Sequence, residues 1–325
     1  MKPIIYLPRR ICQPALDYLG SFVHLRIFAE ERPISREEFL REVKGADALL
    51  PQLSHRVDGE ILDAAGPQLR IVANYAVGFN NIDLRACSAQ RIPATNTPGV
   101  LTETTADLAF SVLMAVARQI PAADAFIRQG KWSGFSPTLF LGADIFGKTF
   151  GIIGMGRIGQ AVARRGLGFK MRILYHNRTR LPCQIEQNLN ATYTSLDELL
   201  RESDFVSLHC PLTPETRGII GENEMRQMKK TAFLINTARG ECVDEKALVR
   251  ALRDGLLAGA GLDVFEKEPE LAPGLIALPN VVITPHIGSA TLETRTRMGT
   301  MCGENIKAVF EGKRPPNLLN PDIYE

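Results

Sequence analysis

Residues Thr149 to Arg165, reading TFGIIGMGRIGQAVARR, constrain this chain more than any other stretch. They specify a buried strand, a glycine turn and a helix in one run. Phe150, Gly151, Ile152 and Ile153 form an apolar segment between turn residues, as in a strand covered on both faces. Gly154, Met155, Gly156, Arg157, Ile158 and Gly159 follow as G-x-G-x-x-G, and Ile158, Val162 and Ala163 continue an apolar stripe at helical spacing. In such a turn Gly154 permits the sharp reversal, Gly156 lets backbone approach a pyrophosphate, and Gly159 lets the helix pack closely on the strand. The helix N-terminus then faces the anion. Glycines also collect in ordinary loops; the flanking strand and helix are what favour a dinucleotide.

A chain of 325 residues exceeds the length at which one hydrophobic core keeps growing, so two domains are expected. Its formal net charge of +2 gives no electrostatic argument for nucleic acid or a membrane surface. The six cysteines, Cys12, Cys87, Cys183, Cys210, Cys242 and Cys302, are scattered without C-x-x-C or a His spaced to complete a zinc site, and no metal is expected. No apolar run approaches the roughly 18 residues that span a bilayer, and Met1 to Pro8 lacks the pattern of a signal peptide. A cytoplasmic protein is expected.

From Pro3 to Thr95 short apolar runs alternate with amphipathic segments. Strands are expected at Ile4 to Leu7, Phe22 to Phe28, Ala46 to Leu50, Leu69 to Ala73 and Ile92 to Ala94, with helices between them. This predicts a small parallel sheet without a glycine fingerprint of its own. The turn cluster Asn96-Thr97-Pro98-Gly99 precedes a long helical pattern, Leu101 to Gln129, interrupted by Pro121. After the glycine turn, strands are expected at Met171 to His176, Asp204 to His209, Thr231 to Asn236, Ala258 to Asp263 and Asn280 to Thr284, and a final helix at Ala290 to Phe310. The boundaries expected are 1–98 plus 288–325 for a discontinuous substrate-binding domain, and 99–287 for a dinucleotide-binding domain with a dimerisation arm at about 101–147.

The strand Arg172 to Tyr175 ends where an Asp or Glu would hold the ribose hydroxyls of NAD. Here stand His176, Asn177, Arg178, Thr179 and Arg180. A cation among small polar groups would instead accept the extra phosphate of NADP, so NADPH is expected, with NADH as the alternative. Three further strand ends are polar, at Asn236 to Gly240, Gly261 to Pro269 and Thr284 to Ser289. In an open α/β sheet the carboxyl ends of strands share one crevice, which would bring Arg239, Glu268 and His286 together. Reduction of a ketone needs a proton donor, which His supplies near neutral pH and a neighbouring Glu favours. Arg239 would grip a carboxylate. Singly, His286 also suits a loop histidine, Glu268 a solvated residue and Arg239 a surface cation; jointly they point to a site.

Seven segments carry a family resemblance: Tyr75 to Asp83 (YAVGFNNID), Asn96 to Thr102 (NTPGVLT), Thr105 to Asp107 (TAD), Gly151 to Gly159, Leu208 to Thr213 (LHCPLT), Asn236 to Gly240 (NTARG) and Pro285 to Ser289 (PHIGS). Nearly end to end, the chain resembles the D-isomer-specific 2-hydroxyacid dehydrogenases, and most of all those reducing glyoxylate and hydroxypyruvate. The resemblance implies an α/β fold of two Rossmann-like domains with parallel sheets and a cleft between them, and a homodimer. It implies that His286 is the proton donor, Glu268 its partner and Arg239 the substrate anchor. Backbone amides around Val77 and Gly78 would bind the substrate carboxylate, with Leu53 and Ser289 nearby. Thr105, Gly154, Gly156, Arg157, Ile158, Gly159, Asn177, Arg178, Thr179, Pro211, Thr216, Thr237, Asp263 and Gly288 would bind the cofactor, Asp263 through the nicotinamide amide.

Departures narrow the choice. Phosphite-oxidising members carry lysine where Val77 stands, and a chain ending at Glu325 leaves no room for the regulatory tail of many 3-phosphoglycerate dehydrogenases. Related reductases bring a tryptophan from a neighbouring subunit to the substrate; here the position corresponds to Phe135, close to Trp132. Two alternatives stay open: a reductase of bulkier acids such as 2-ketogluconate, and a cofactor-sensing binding protein resembling the family's transcriptional corepressors.

Overall fold

The computed structural model describes residues 2–325. The chain divides into two compact units, Met1–Leu101 with Ser289–Glu325, and Thr102–Gly288. The first unit alternates β1 (Ile4–Leu7), α1 (Gln13–Gly20), β2 (His24–Ile27), α2 (Arg36–Glu42), β3 (Ala48–Leu49), α3 (Gly59–Ala65), β4 (Ile71–Ala73), α4 (Leu84–Ala89) and β5 (Ala94–Thr95). Its sheet runs in the order β2-β1-β3-β4-β5, and every pairing is parallel. The strands are shorter than their apolar runs, because residues such as Ala46, Leu50 and Leu69 are buried beside the ladder rather than in it. Side chains start the helices: Ser35 and Glu38 form a capping box on α2, and Asp58 and Asp83 accept from the first turns of α3 and α4.

The second unit begins with α5 (Thr102–Ala117) and α6 (Ile120–Arg128). The long pattern breaks at Gln119, in the left-handed region at φ 52°, and Pro121 sits harmlessly in the first turn of α6. Helix α5 buries Ala106, Ala109, Phe110, Leu113 and Val116 in its own unit's core, so it is a core element and not part of an arm. Exposed apolar side chains occur instead at Ile120, Ile127, Trp132, Phe135, Leu139, Leu141 and Phe146.

There follow β6 (Thr149–Ile153), α7 (Arg157–Gly168), β7 (Arg172–His176), α8 (Cys183–Leu189), β8 (Ala191–Tyr193), α9 (Leu196–Glu202), β9 (Phe205–Leu208), α10 (Glu222–Gln227), β10 (Phe233–Asn236), α11 (Glu245–Arg253), β11 (Gly259–Leu262) and β12 (Val281–Ile283). Helix α12 (Leu292–Phe310) closes the chain within the first unit. The second sheet is again wholly parallel, in the order β12-β11-β10-β9-β6-β7-β8. Elements α8 and β8 have no clear sequence pattern. As an edge strand β8 pairs only with β7, and its tertiary anchor is Tyr193, whose ring meets that of Tyr175 edge-on at 5.4 Å.

Two imidazoles, His55 buried and His209 half-buried, make stability depend on pH. His209, whose Nε2 bonds Ser207 Oγ at 2.8 Å, is pushed by burial down to about 3. His55, whose Nδ1 accepts from the Gln52 amide, is lowered to about 4 by burial and by Arg9. Unfolded, each takes up a proton near pH 6.5, so the unfolded chain binds more protons below that pH and folding weakens as pH falls. Between pH 6.5 and 5 each contributes a loss of about 2 kcal/mol. Urea midpoints at pH 7 and 5 measure this; identical midpoints would refute it, and His209→Asn should remove part of the dependence.

Candidate active site

Strand β6 lies between β7 and β9, the point where strand order reverses, so the glycine turn after Ile153 opens at the carboxyl edge where ligands of such sheets bind. Gly154 has φ 95°, and a Cβ there would meet the Cys210 backbone nitrogen at 2.4 Å. A Cβ on Gly159 would strike the Gly154 carbonyl at 2.2 Å, so the helix closes directly on the turn. Around Gly156 there is open space, and as N-cap of α7 it offers no side chain to the first-turn amides. Those amides and the helix dipole suit an anion. Arg157 and Ile158 begin this first turn, Arg157 exposed and Ile158 half-buried.

Asn177 Oδ1 accepts from the Met155 amide at 2.7 Å and so braces the turn. Arg178 and Thr179 are exposed, and Arg178 has no ion pair among the described residues. Arg180, its neighbour, is committed: it pairs with Glu186 at 2.8 Å, and Glu186 also accepts from Tyr175. Thr237 is buried with a hydroxyl that finds no partner, an orphan that a bound cofactor would satisfy. Thr105 flanks Gly288, whose added Cβ would lie 3.3 Å from Thr105 Cγ2. Uncapped turn, braced glycines and orphaned hydroxyl together fit a dinucleotide. Thr216 is already engaged, donating to the Pro211 carbonyl at 2.6 Å, so these two latch their own loop.

The strand ends of β10, β11 and β12 carry the reactive groups. Asn236 holds the turn after β10, its side chain donating to the Arg239 carbonyl at 2.9 Å and accepting from the Ala238 amide at 3.0 Å. Gly240 presses on the next connection, since a Cβ there would sit 1.9 Å from the Phe265 carbonyl carbon. Arg239 and Glu268 are thereby held in one neighbourhood. The Arg239 guanidinium donates to the Ala238 carbonyl at 2.6 Å and forms no ion pair among the described residues. Burial lowers its pKa, against the pull of Glu241 and Glu268. A desolvated cation without a carboxylate is poised for an anionic ligand.

His286 Nδ1 lies 2.9 Å from Glu268 Oε2 and 3.1 Å from Oε1, both side chains about one-third exposed at 32% and 37%. Burial opposes the Glu268 carboxylate, yet His286, the Phe265 amide and Arg239 hold its pKa below the ordinary value. His286 sits in the left-handed region at φ 53°, a cost that persists only where surroundings enforce it. Asp263 does so. Its backbone carbonyl accepts from His286 N, and its buried carboxylate accepts from Thr284 Oγ1 at 2.6 Å, Ile287 N at 2.8 Å and Gly288 N at 2.9 Å. Burial raises its pKa despite these bonds. Asp263 is thus a positioning residue for the histidine turn.

Leu53, Val77, Gly78 and Ser289 belong to the first unit and are all half-buried. Asn96 Nδ2 donates to the Val77 carbonyl at 2.7 Å and Asn74 Nδ2 to the Gly78 carbonyl at 2.8 Å, fixing the orientation of both peptides. Asn74, Asn96 and Asn236 were not among the sequence candidates. Asn96 and Asn236 open two of the segments that carry the family resemblance, and for all three the physical signal is an amide side chain at a strand end, a group that can clamp donor and acceptor at once. Among the described residues no three His, Cys, Asp or Glu side chains cluster as for a metal, and no single helix is long and apolar enough to cross a membrane.

Residues 110–288 match the family described as D-isomer specific 2-hydroxyacid dehydrogenase, NAD binding domain. A glyoxylate reductase of Thermococcus gammatolerans is 50% identical over 329 aligned positions, covering 100% of this chain and 98% of that protein. The crystal structure of a glyoxylate reductase from Paecilomyes thermophila is 37% identical, with 99% of each chain covered and a TM-score of 0.86. An NADPH-dependent glyoxylate/hydroxypyruvate reductase from Sinorhizobium meliloti, solved with NADP and malonate, is 33% identical, covering 98% of this chain and 97% of that one, with a TM-score of 0.85.

Proposed function

The chain belongs to the D-isomer-specific 2-hydroxyacid dehydrogenases, and from that premise we propose that it reduces short 2-oxo acids, glyoxylate and hydroxypyruvate, to glycolate and D-glycerate with NADPH. The observation that carries the reading is the His286–Glu268 pair at 2.9 Å, in the same neighbourhood as the half-buried Arg239, which forms no ion pair among the described residues. Arg239 anchors the substrate carboxylate and polarises the adjacent carbonyl; on the first unit the amides of Val77 and Gly78, with Leu53 and Ser289, are the proposed substrate contacts. Glu268 orients His286 and balances the imidazolium, and His286 delivers the proton to the carbonyl oxygen. A nicotinamide cofactor, when bound, supplies the hydride. The glycine turn, the first turn of α7, Thr105, Thr237 and Gly288 hold that cofactor, and Asp263 keeps the histidine turn in place.

NADPH rather than NADH is favoured by the exposed, unpaired Arg178, with Asn177 and Thr179 beside it and no carboxylate at the strand end. Steady-state kinetics on a panel of 2-oxo acids, each with NADPH and NADH, test both substrate and cofactor. Arg178→Ala should weaken NADPH by roughly 10- to 100-fold, as for loss of a charge-assisted phosphate contact, and leave NADH unchanged. A wild-type preference for NADH overturns the cofactor assignment; tight cofactor binding without turnover of any 2-oxo acid overturns the enzyme in favour of a sensor. Localisation is proposed as cytoplasmic.

The assembly proposed is a homodimer built on the exposed apolar surface of Ile120 to Phe146, where Phe135 is 91% exposed. Sedimentation should report a dimer, and Ile127→Glu should shift it toward monomer. A wild type monomeric at working concentrations counts against it.

A further inference from the structure

The first unit contains a cavity of about 560 Å3 that lies outside the residues assigned above. Three arginines, Arg9, Arg10 and Arg295, line it, together with Cys12, Gln52 and Tyr75, and no carboxylate does. Arg10 donates to Gln13 Oε1 at 2.7 Å and Arg295 to the Ser289 carbonyl at 3.2 Å, both neutral acceptors. None of the three arginines has an ion-pair partner among the described residues, in contrast to Arg32, Arg36, Arg165 and Arg250, which pair with Asp or Glu. A volume of this size falls within the range of small-molecule sites and far exceeds one water.

The walls are tied together. Gln52 Nε2 donates to the Arg9 carbonyl at 3.1 Å, joining the loops after β1 and β3, and Tyr75 Oη donates to the Arg295 carbonyl at 2.5 Å, joining the loop after β4 to α12. These loops leave the carboxyl edge of the sheet, the edge at which ligands of parallel sheets bind. The lining also touches the proposed substrate residues in sequence: Gln52 precedes Leu53, Tyr75 stands two before Val77, and Ala290 follows Ser289. Substrate held at Val77 and Gly78 thus adjoins, through Tyr75 and Gln52, the wall that faces the arginines of the loop after β1 and of α12.

We infer that this cavity is a subsite for a second anionic group, so that the chain accepts 2-oxo acids bearing a carboxylate or phosphate at the far end from the 2-oxo group. The inference rests on the reading of the chain as a 2-oxo acid reductase. Guanidinium groups grip either anion through paired hydrogen bonds, and three unneutralised charges around one cavity select for charge more than for chain length. Glyoxylate, with nothing beyond its aldehyde carbon, leaves the subsite unused.

The test compares 2-oxoglutarate with 2-oxopentanoate, which has equal chain length and no distal charge, and 3-phosphohydroxypyruvate with hydroxypyruvate. Glyoxylate serves as the reference. In the wild type the member of at least one pair that bears the distal anionic group should have roughly 10- to 100-fold higher kcat/KM. The pair that responds identifies carboxylate or phosphate as the group. The R9Q/R10Q double variant should bring that pair to near parity while kcat/KM for glyoxylate stays unchanged. Parity in both wild-type pairs, or a preference that survives the double variant, overturns the subsite.

A readout that needs no turnover separates the two readings. Cys12 lines the cavity, and its alkylation by N-ethylmaleimide, located by peptide mass spectrometry, should slow when glutarate or inorganic phosphate is added to the wild type, and not in R9Q/R10Q. Arginine-dependent protection without glyoxylate turnover keeps the anion site and removes the reductase reading. Glyoxylate turnover with neither preference nor protection removes the subsite alone.

Discussion

Replacing His286 by alanine is expected to lower kcat for glyoxylate reduction by on the order of 10²- to 10⁴-fold at saturating substrate and neutral pH, the usual contribution of a positioned acid. The geometry explains why the loss should fall on turnover. Glu268 occupies Nδ1 at 2.9 Å, so the proton that leaves for substrate comes from Nε2, and only an imidazolium carries one on both nitrogens. Asp263 fixes the ring's direction by holding the amides of Ile287 and Gly288. The Kd for NADPH, measured by fluorescence, should change little, because the glycine turn lies on a different strand end. Turnover close to wild type in this variant would remove His286 as the donor.

Arg239→Ala should be costly in a different way, with KM rising and kcat falling together. The guanidinium is desolvated and has no carboxylate partner, so a substrate carboxylate is the charge that it lacks. Charge-assisted contacts contribute about 1.5 to 3 kcal/mol each, and loss of a paired grip corresponds to roughly 10²- to 10⁴-fold in kcat/KM. Arg239→Lys keeps the charge without the planar fork and should recover only part of the loss. The measurement is a full kinetic profile with glyoxylate. Unchanged constants in Arg239→Ala would count against the anchor.

Legibility followed burial and periodicity. The strands β6, β7, β9 and β10 could be read as largely apolar runs because both faces of the second sheet are covered, which favours Val, Ile, Leu and Phe, whereas β11 keeps Gly259 and Gly261 because neighbouring atoms leave no room for a Cβ. By contrast α8 and β8, at the sheet edge, need few apolar residues, and their sequence shows no period. The break of the long helical pattern was legible only roughly. Pro121 marks it in the sequence, yet the chain turns at Gln119, since proline is tolerated in a first turn and the residue before the helix takes up the change of direction.

The candidate site divides in the same way. His286, Glu268 and Arg239 are chemically conspicuous and end apolar strands, so the sequence brings them forward as a set. What it could not determine is that Asp263 spends its carboxylate on the turn that carries His286, that Asn236 clasps the Arg239 loop, or that Asn74 and Asn96 orient the Val77 and Gly78 peptides. Nor could it reveal that Arg180 is ion-paired with Glu186 whereas Arg178 forms no ion pair among the described residues. By itself the sequence determined two α/β units, a glycine turn for a dinucleotide and the three reactive side chains, because periodicity, turn chemistry and residue type are local properties. Only the tertiary structure decided which hydrogen bonds those side chains make and which charges remain unpaired, because both depend on atoms from strands and loops far apart in the chain.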